Sequence, residues 1–230
     1  MALNTKRLPK NSSNSNRVEQ DLLPVGANAG RLVQIIDLGL QPQKPFKGTA
    51  KPPAYMVQVT YELSDEFMVD AEGNTLDDKP RWLSEQFPMY SLEVDRAKST
   101  KRYNSYDPSG AFDGDFAGCI AAPVQILIVH NQGRGDNAGR TFANISDVMP
   151  YVVNKRNPEL PELINKPVVF SLDEPDMGVF DSLPDWLKDK VKENLEFTGS
   201  ELDQALNGKV SSKPALTVVD DSDDEDGWDD

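Results

Sequence analysis

Apolar and polar residues alternate strictly over residues 54–63 (AYMVQVTYEL), with Tyr55, Val57, Val59, Tyr61 and Leu63 on one face and Met56, Gln58, Thr60 and Glu62 on the other. A period of two predicts a half-buried strand. Residues 29–38 (AGRLVQIIDL) predict a strand before it, and residues 81–91 (RWLSEQFPMYS) a third, irregular around Pro88, which cannot donate to a ladder. A Pro/Gly/Lys loop from Gly39 to Pro53 and an acidic, turn-rich connection over 64–80 separate the three. Residues 92–104 predict a weak helix with Leu92, Arg96 and Tyr103 facing inward. Phe112, Phe116 and Ile120 are spaced four apart and predict a second short helix, which Gly114 and Gly118 weaken. Residues 123–131 (PVQILIVHN) are the strongest strand, and the glycine-rich turn from Gly133 to Gly139 joins them to a partner over 140–148.

The order strand, strand, strand, helix, strand, strand predicts a mainly β domain over 25–150. It is that of a five-stranded OB-type Greek-key barrel with an α-helix between strands 3 and 4. Residues 1–24 predict a flexible arm, because the tract from Lys10 to Asn16 has nothing to bury. Its cations Lys6, Arg7, Lys10 and Arg17 fit either a solvated terminus or an arm that touches nucleic acid. Residues 151–206 predict a helical extension packed on the barrel. It starts with a proline-punctuated connector over 151–167 and a short strand over 168–172. Ser182-Leu183-Pro184-Asp185 then reads as a capping box, and Leu183, Trp186, Leu187, Val191 and Leu195 as an apolar stripe. Gly199 ends that helix, and Glu201 to Leu206 add a turn. Residues 207–230, polar and then acidic, predict a disordered tail.

Charge changes this picture through its location. The net charge of −14 argues against a polyanionic partner when averaged over the chain. Yet residues 216–230 hold eight Asp or Glu and no Lys or Arg, whereas residues 1–170 hold 20 acidic and 19 basic residues. The body is near neutral and much of the surplus sits on the tail. The lone cysteine, Cys119, forbids an internal disulfide and fits a reducing cytosol. No apolar run signals export or spans a bilayer, so a soluble intracellular protein is expected.

The loops that frame the ligand groove of an OB barrel carry the candidate chemistry. Lys44, Phe46, Lys47 and Lys51 lie in the first, and Arg134 and Arg140 flank the last. Lysines and arginines there would neutralise phosphates, and aromatic rings would stack unpaired bases without reading sequence. The run from Arg96 to Tyr103 is the densest in cations. As a helix it gathers Lys98, Lys101 and Arg102 on one arc, with Tyr103 as a candidate stacker and Trp82 as another. For any single strand aromatic core packing is the commoner role; Tyr55 and Tyr61, which share a face with two valines, are assigned to it. In the tail, Asp220, Asp221, Asp223, Asp224, Glu225, Asp226, Asp229 and Asp230 surround Trp228. An aromatic among carboxylates suits docking into a basic, apolar-lined pocket, and such a tail also mimics a DNA backbone. Catalytic and metal readings are poor. His130 is alone, Cys119 lacks an activating partner, and Asp173, Glu174 and Asp176, which could hold Mg²⁺, stand just ahead of a helix where acids are favoured anyway. No cofactor and no enzymatic role is expected.

With these residues in view, the chain resembles the single-stranded DNA-binding proteins of tailed bacteriophages. The resemblance rests on the OB-like order of 29–148, on DRAKSTKRY (Asp95 to Tyr103), on LDEPDMGVFDSLPDWLKDK (Leu172 to Lys190) and on the acidic end DDSDDEDGWDD. The tails of such proteins often finish on phenylalanine, whereas here Trp228 precedes two aspartates. The resemblance implies a non-catalytic, sequence-tolerant single-strand binder of phage replication or recombination. Such a protein would work in the cytoplasm of the host bacterium and recruit polymerase or helicase-primase through its tail. The alternative is an acidic, DNA-mimicking adaptor or inhibitor of a host or phage enzyme.

Overall fold

The computed structural model describes residue 18 and residues 20–208. Of the arm expected over 1–24, residues 1–17 with their four cations lie outside the described residues, as does the tail with Trp228; Gln20 bonds the backbone of Val69, and Leu23 is buried in the core.

Strands β1 (Gly26–Phe46), β2 (Thr49–Val69), β3 (Thr75–Pro88), β4 (Pro123–Gln132) and β5 (Thr141–Pro150) form one antiparallel path in the order β3-β2-β1-β4-β5. A short β6 (Val168–Phe170) joins parallel to β1 at Gln34–Ile36, beyond the segment of β1 that β4 covers. The sheet therefore has six strands and is open; no ladder joins β3 to β5. Helix α1 (Lys98–Tyr106) follows β3, and α2 (Met177–Ser182), α3 (Asp185–Lys192) and α4 (Glu201–Leu206) follow β6. Among the described residues no helix is long and apolar enough to cross a membrane.

The alternation in β2 does what its period requires. Val57, Val59, Tyr61 and Leu63 enter a core with Leu32, Ile35, Phe87, Val124, Ile126, Ile128, Val148, Tyr103 and Tyr106. Strand β1 serves two cores, because Ile36 and Leu38 point to the opposite face and meet Phe170, Phe180, Leu183, Leu187, Val191 and Leu202. The C-terminal helices thus cover the outer side of β1. Gly39 makes this junction possible. It sits at a register shift with φ +69°, and a Cβ there would overlap the Asn194 side chain. Asn194 Oδ1 accepts from Leu40 N (2.8 Å), and Leu195 N donates to Leu40 O (2.9 Å).

Several expectations are corrected. The loop expected over 39–53 is a paired arm, with β1 and β2 running on to a two-residue turn. Lys47 (φ +50°) and Gly48 (φ +82°) supply the two positive φ angles of a type I′ hairpin. Both faces of this arm are exposed, so it carries no hydrophobic period to read. The acidic connection over 64–80 shrinks to a turn at Asp70–Asn74, where Asp70 accepts from the backbone of Glu72 and Asn74. Of Leu92, Arg96 and Tyr103, only Tyr103 is buried. The second short helix is a single 3-10 turn, Ala117–Cys119. The capping box does not form. Ser182 ends α2, with its hydroxyl donating to Val179 O, and α3 begins after Pro184 without a side-chain cap. Side-chain caps form instead at Asp176, which accepts from Gly178 N and Val179 N at the start of α2, and at Ser200, which accepts from Asp203 N at the start of α4. Leu183, Leu187 and Val191 face the core as expected, but Trp186 and Leu195 are exposed.

Candidate nucleic-acid interface

The β1–β2 arm carries three exposed lysines, Lys44, Lys47 and Lys51. Phe46 is 59% exposed, and Lys47 Nζ and Lys51 Nζ lie 5.5 and 5.2 Å from its ring centroid. Among the described residues no carboxylate pairs with any of the three lysines. An unpaired ammonium is free to exchange its counterions for a phosphate, and the ring it flanks is a ready stacking surface.

Arg134 and Arg140 are exposed at the other hairpin, where Gly133 N donates to Arg140 O across the β4–β5 tip (2.7 Å). The register separates this tip from the arm. Gly26 pairs with Ile128 and Phe46 with Thr49, so the two hairpins leave opposite ends of β1. A ligand touching both must run the length of the sheet.

The outer face of β2 and β3 lies on the side of β1 away from β4 and β5. Its cross-strand pairs are Gln58–Gln86, Thr60–Ser84 and Glu62–Trp82. Gln86 Nε2 donates to Gln58 Oε1 (2.8 Å), and the Thr60 and Ser84 hydroxyls share a bond of 2.9 Å. Gln58 and Thr60 are nearly inaccessible while Ser84, Gln86 and Trp82 are exposed, so β2 forms a polar floor beside the more open β3. The C-terminal helices rise on the β1 side. None of these six side chains is a cation; hydrogen-bonding groups line the floor.

The basic helix divides differently from the expectation. Lys101 is exposed, as a phosphate contact requires. Arg102 is 2% exposed and structural: Nε donates to Glu85 Oε1 (2.7 Å) and Nη1 to Asp147 Oδ1 (2.8 Å). It thereby ties β3 to β5 across the open side of the sheet. Burial alone would lower the guanidinium pKa, but the bond and charge of Glu85 outweigh it and the net shift is upward. Burial likewise works to raise Glu85, and the bonds from Arg102 and Lys98 reverse it to a net lowering. Lys98 is occupied by this pair and sits 5.6 Å from the Phe87 ring centroid. Tyr103 is a core residue that donates to Asp107 Oδ2 (3.0 Å) and accepts from Gly114 N (2.6 Å). Arg102 and Tyr103 are therefore withdrawn as DNA contacts. The spacing set Arg102 on one arc with Lys98 and Lys101, but the helix turns it inward beside Tyr103, which was expected to face inward.

Tyr61 is fully buried and donates to Glu85 Oε1 (2.9 Å), with desolvation holding its hydroxyl pKa well above the usual tyrosine value. Tyr55, assigned to the core with it, is 54% exposed and donates to Glu196. It stands where β2 leaves the core for the arm. Trp82 is 41% exposed on the outer face. His130 lies on the rim of β4 with Nε2 2.8 Å from Leu23 O, and Cys119 is buried.

No protein-family model and no curated protein matches this chain.

Proposed function

We propose that this chain is a sequence-tolerant single-stranded DNA-binding protein built on an OB-type barrel, acting in phage replication or recombination. It covers single strands and recruits polymerase or helicase-primase through residues 216–230. The observation that carries the reading is the arm: two lysines, Lys47 and Lys51, flank the exposed Phe46 ring, and a third, Lys44, is exposed on the same hairpin. The strand order and the place of α1 between β3 and β4 support the OB-type reading. The Arg102 clasp, where α1 bridges β3 and β5, supports treating the open sheet as a barrel in outline.

Fluorescence anisotropy of labelled oligo-dT tests the proposal. Binding is expected at about 50 mM salt and should weaken as a power of salt concentration toward about 200 mM. The adaptor reading draws on residues 171–208, where ten acidic residues face three lysines and Trp186 is exposed. Failure to bind oligo-dT at about 50 mM salt would leave that reading in its place.

A further inference from the structure

Glu62 is a buried carboxylate with no cation on it among the described residues. It points to the outer face of β2 and is 5% exposed. Four neutral N–H groups satisfy it. Oε1 accepts from Ile164 N (2.7 Å), and Oε2 from Asn165 N (3.2 Å), Asn165 Nδ2 (2.7 Å) and Trp82 Nε1 (3.3 Å). Only an acceptor on both oxygens suits such a set; a glutamine would turn its own N–H₂ toward donors. Arg31, opposite Glu62 in the ladder, is spent on the carbonyls of Ala121, Leu160 and Pro161.

This carboxylate joins two features that have no reason to be joined for the core. One is the connector at 160–166, which it fastens over the sheet. The other is the indole of Trp82, held by its N–H edge so that the polar atom is satisfied and the ring stays partly open. An aromatic ring fixed by its edge keeps one orientation and loses less rotamer freedom when a base stacks on it.

We propose that Glu62 is the positioning residue of the interface, presetting Trp82 as a stacking platform for one base of the bound strand. The inference rests on the single-strand reading above. Glu62 touches no DNA; it acts through the indole.

A double-mutant cycle on oligo-dT affinity in the full chain tests it. Glu62→Gln should weaken binding about threefold to tenfold, the size expected for freeing one preorganised side chain. In the Trp82→Phe background, which keeps a ring but removes the N–H, the same change should cost less than about twofold, because the held edge is already gone. DNA-induced quenching of tryptophan emission should be largely lost with Trp82→Phe. A Glu62 that merely anchors the connector would cost the same in both backgrounds, and that equality overturns the inference. Glu62→Asp keeps an all-acceptor group but withdraws it by one methylene, and it completes the same cycle if the glutamine variant folds poorly. If the unmodified chain binds no oligo-dT, the functional reading fails; if it binds and the cycle is additive, only the role of Glu62 fails.

Discussion

Arg102 and Lys101 are neighbours on one helix with opposite assignments, and removing each in turn separates them. Arg102→Ala leaves Glu85, 7% exposed in its side chain, without its bidentate partner and unties Asp147 on β5. Breaking a buried pair by deleting one partner costs roughly 3–5 kcal/mol. Lys98 and the Tyr61 hydroxyl still reach Glu85, which places the loss near the low end, about 3 kcal/mol. For a domain of this size that is a fall in Tm of about 6–12 °C. Lys101→Ala removes an exposed side chain and should change stability by less than about 0.5 kcal/mol. The pH dependence has a definite sign. The folded pKa of Glu85 is lowered, so its contribution is present above the unfolded value and fades as pH falls through the folded one. The stability gap between the unmodified chain and Arg102→Ala should therefore be full at neutral pH and narrow below about pH 4. Urea unfolding followed by far-UV circular dichroism at several pH values measures both. An Arg102→Ala variant within about 1 kcal/mol of the unmodified chain at pH 7 would refute the clasp.

Three further outcomes are expected. Replacing Lys44, Lys47 and Lys51 together by alanine should reduce the slope of log affinity against log salt by about 2 on a single strand, with Tm unchanged, in anisotropy titrations. Gly39→Ala, which forces a methyl group toward Asn194 at φ +69°, should cost at least about 1 kcal/mol in urea unfolding. Burial pushes the Cys119 thiol up to about 12, so the native chain should react slowly with a thiol reagent near pH 8 and rapidly once unfolded.

The hydrophobic period located the strands that face a core, and the alternation of 54–63 placed Val57, Val59, Tyr61 and Leu63 correctly because burial on one face leaves a visible period. It stopped at Ala54 because the arm beyond is exposed on both faces; there pairing comes from backbone hydrogen bonds and the Lys47-Gly48 turn, which sequence period does not report. The cations of the arm were legible as residue types, and the arm's projecting geometry was not. Glu62 gave no signal at all, since it occupies the polar phase of a good strand and acquires three of its four partners from residues about a hundred positions away.

The sequence by itself determined a β-rich body with its strands in order, a near-neutral balance over 1–170 and a concentrated acidic end. Those properties are local or additive, so they survive without knowledge of the fold. Only the tertiary structure decided which lysines and arginines are free. Arg102 is consumed by Glu85 and Asp147 from two strands, Arg31 by three carbonyls, and Lys47 by nothing but a phenylalanine ring. A side chain's charge is fixed by its identity, but its availability depends on which distant groups the chain folds against it.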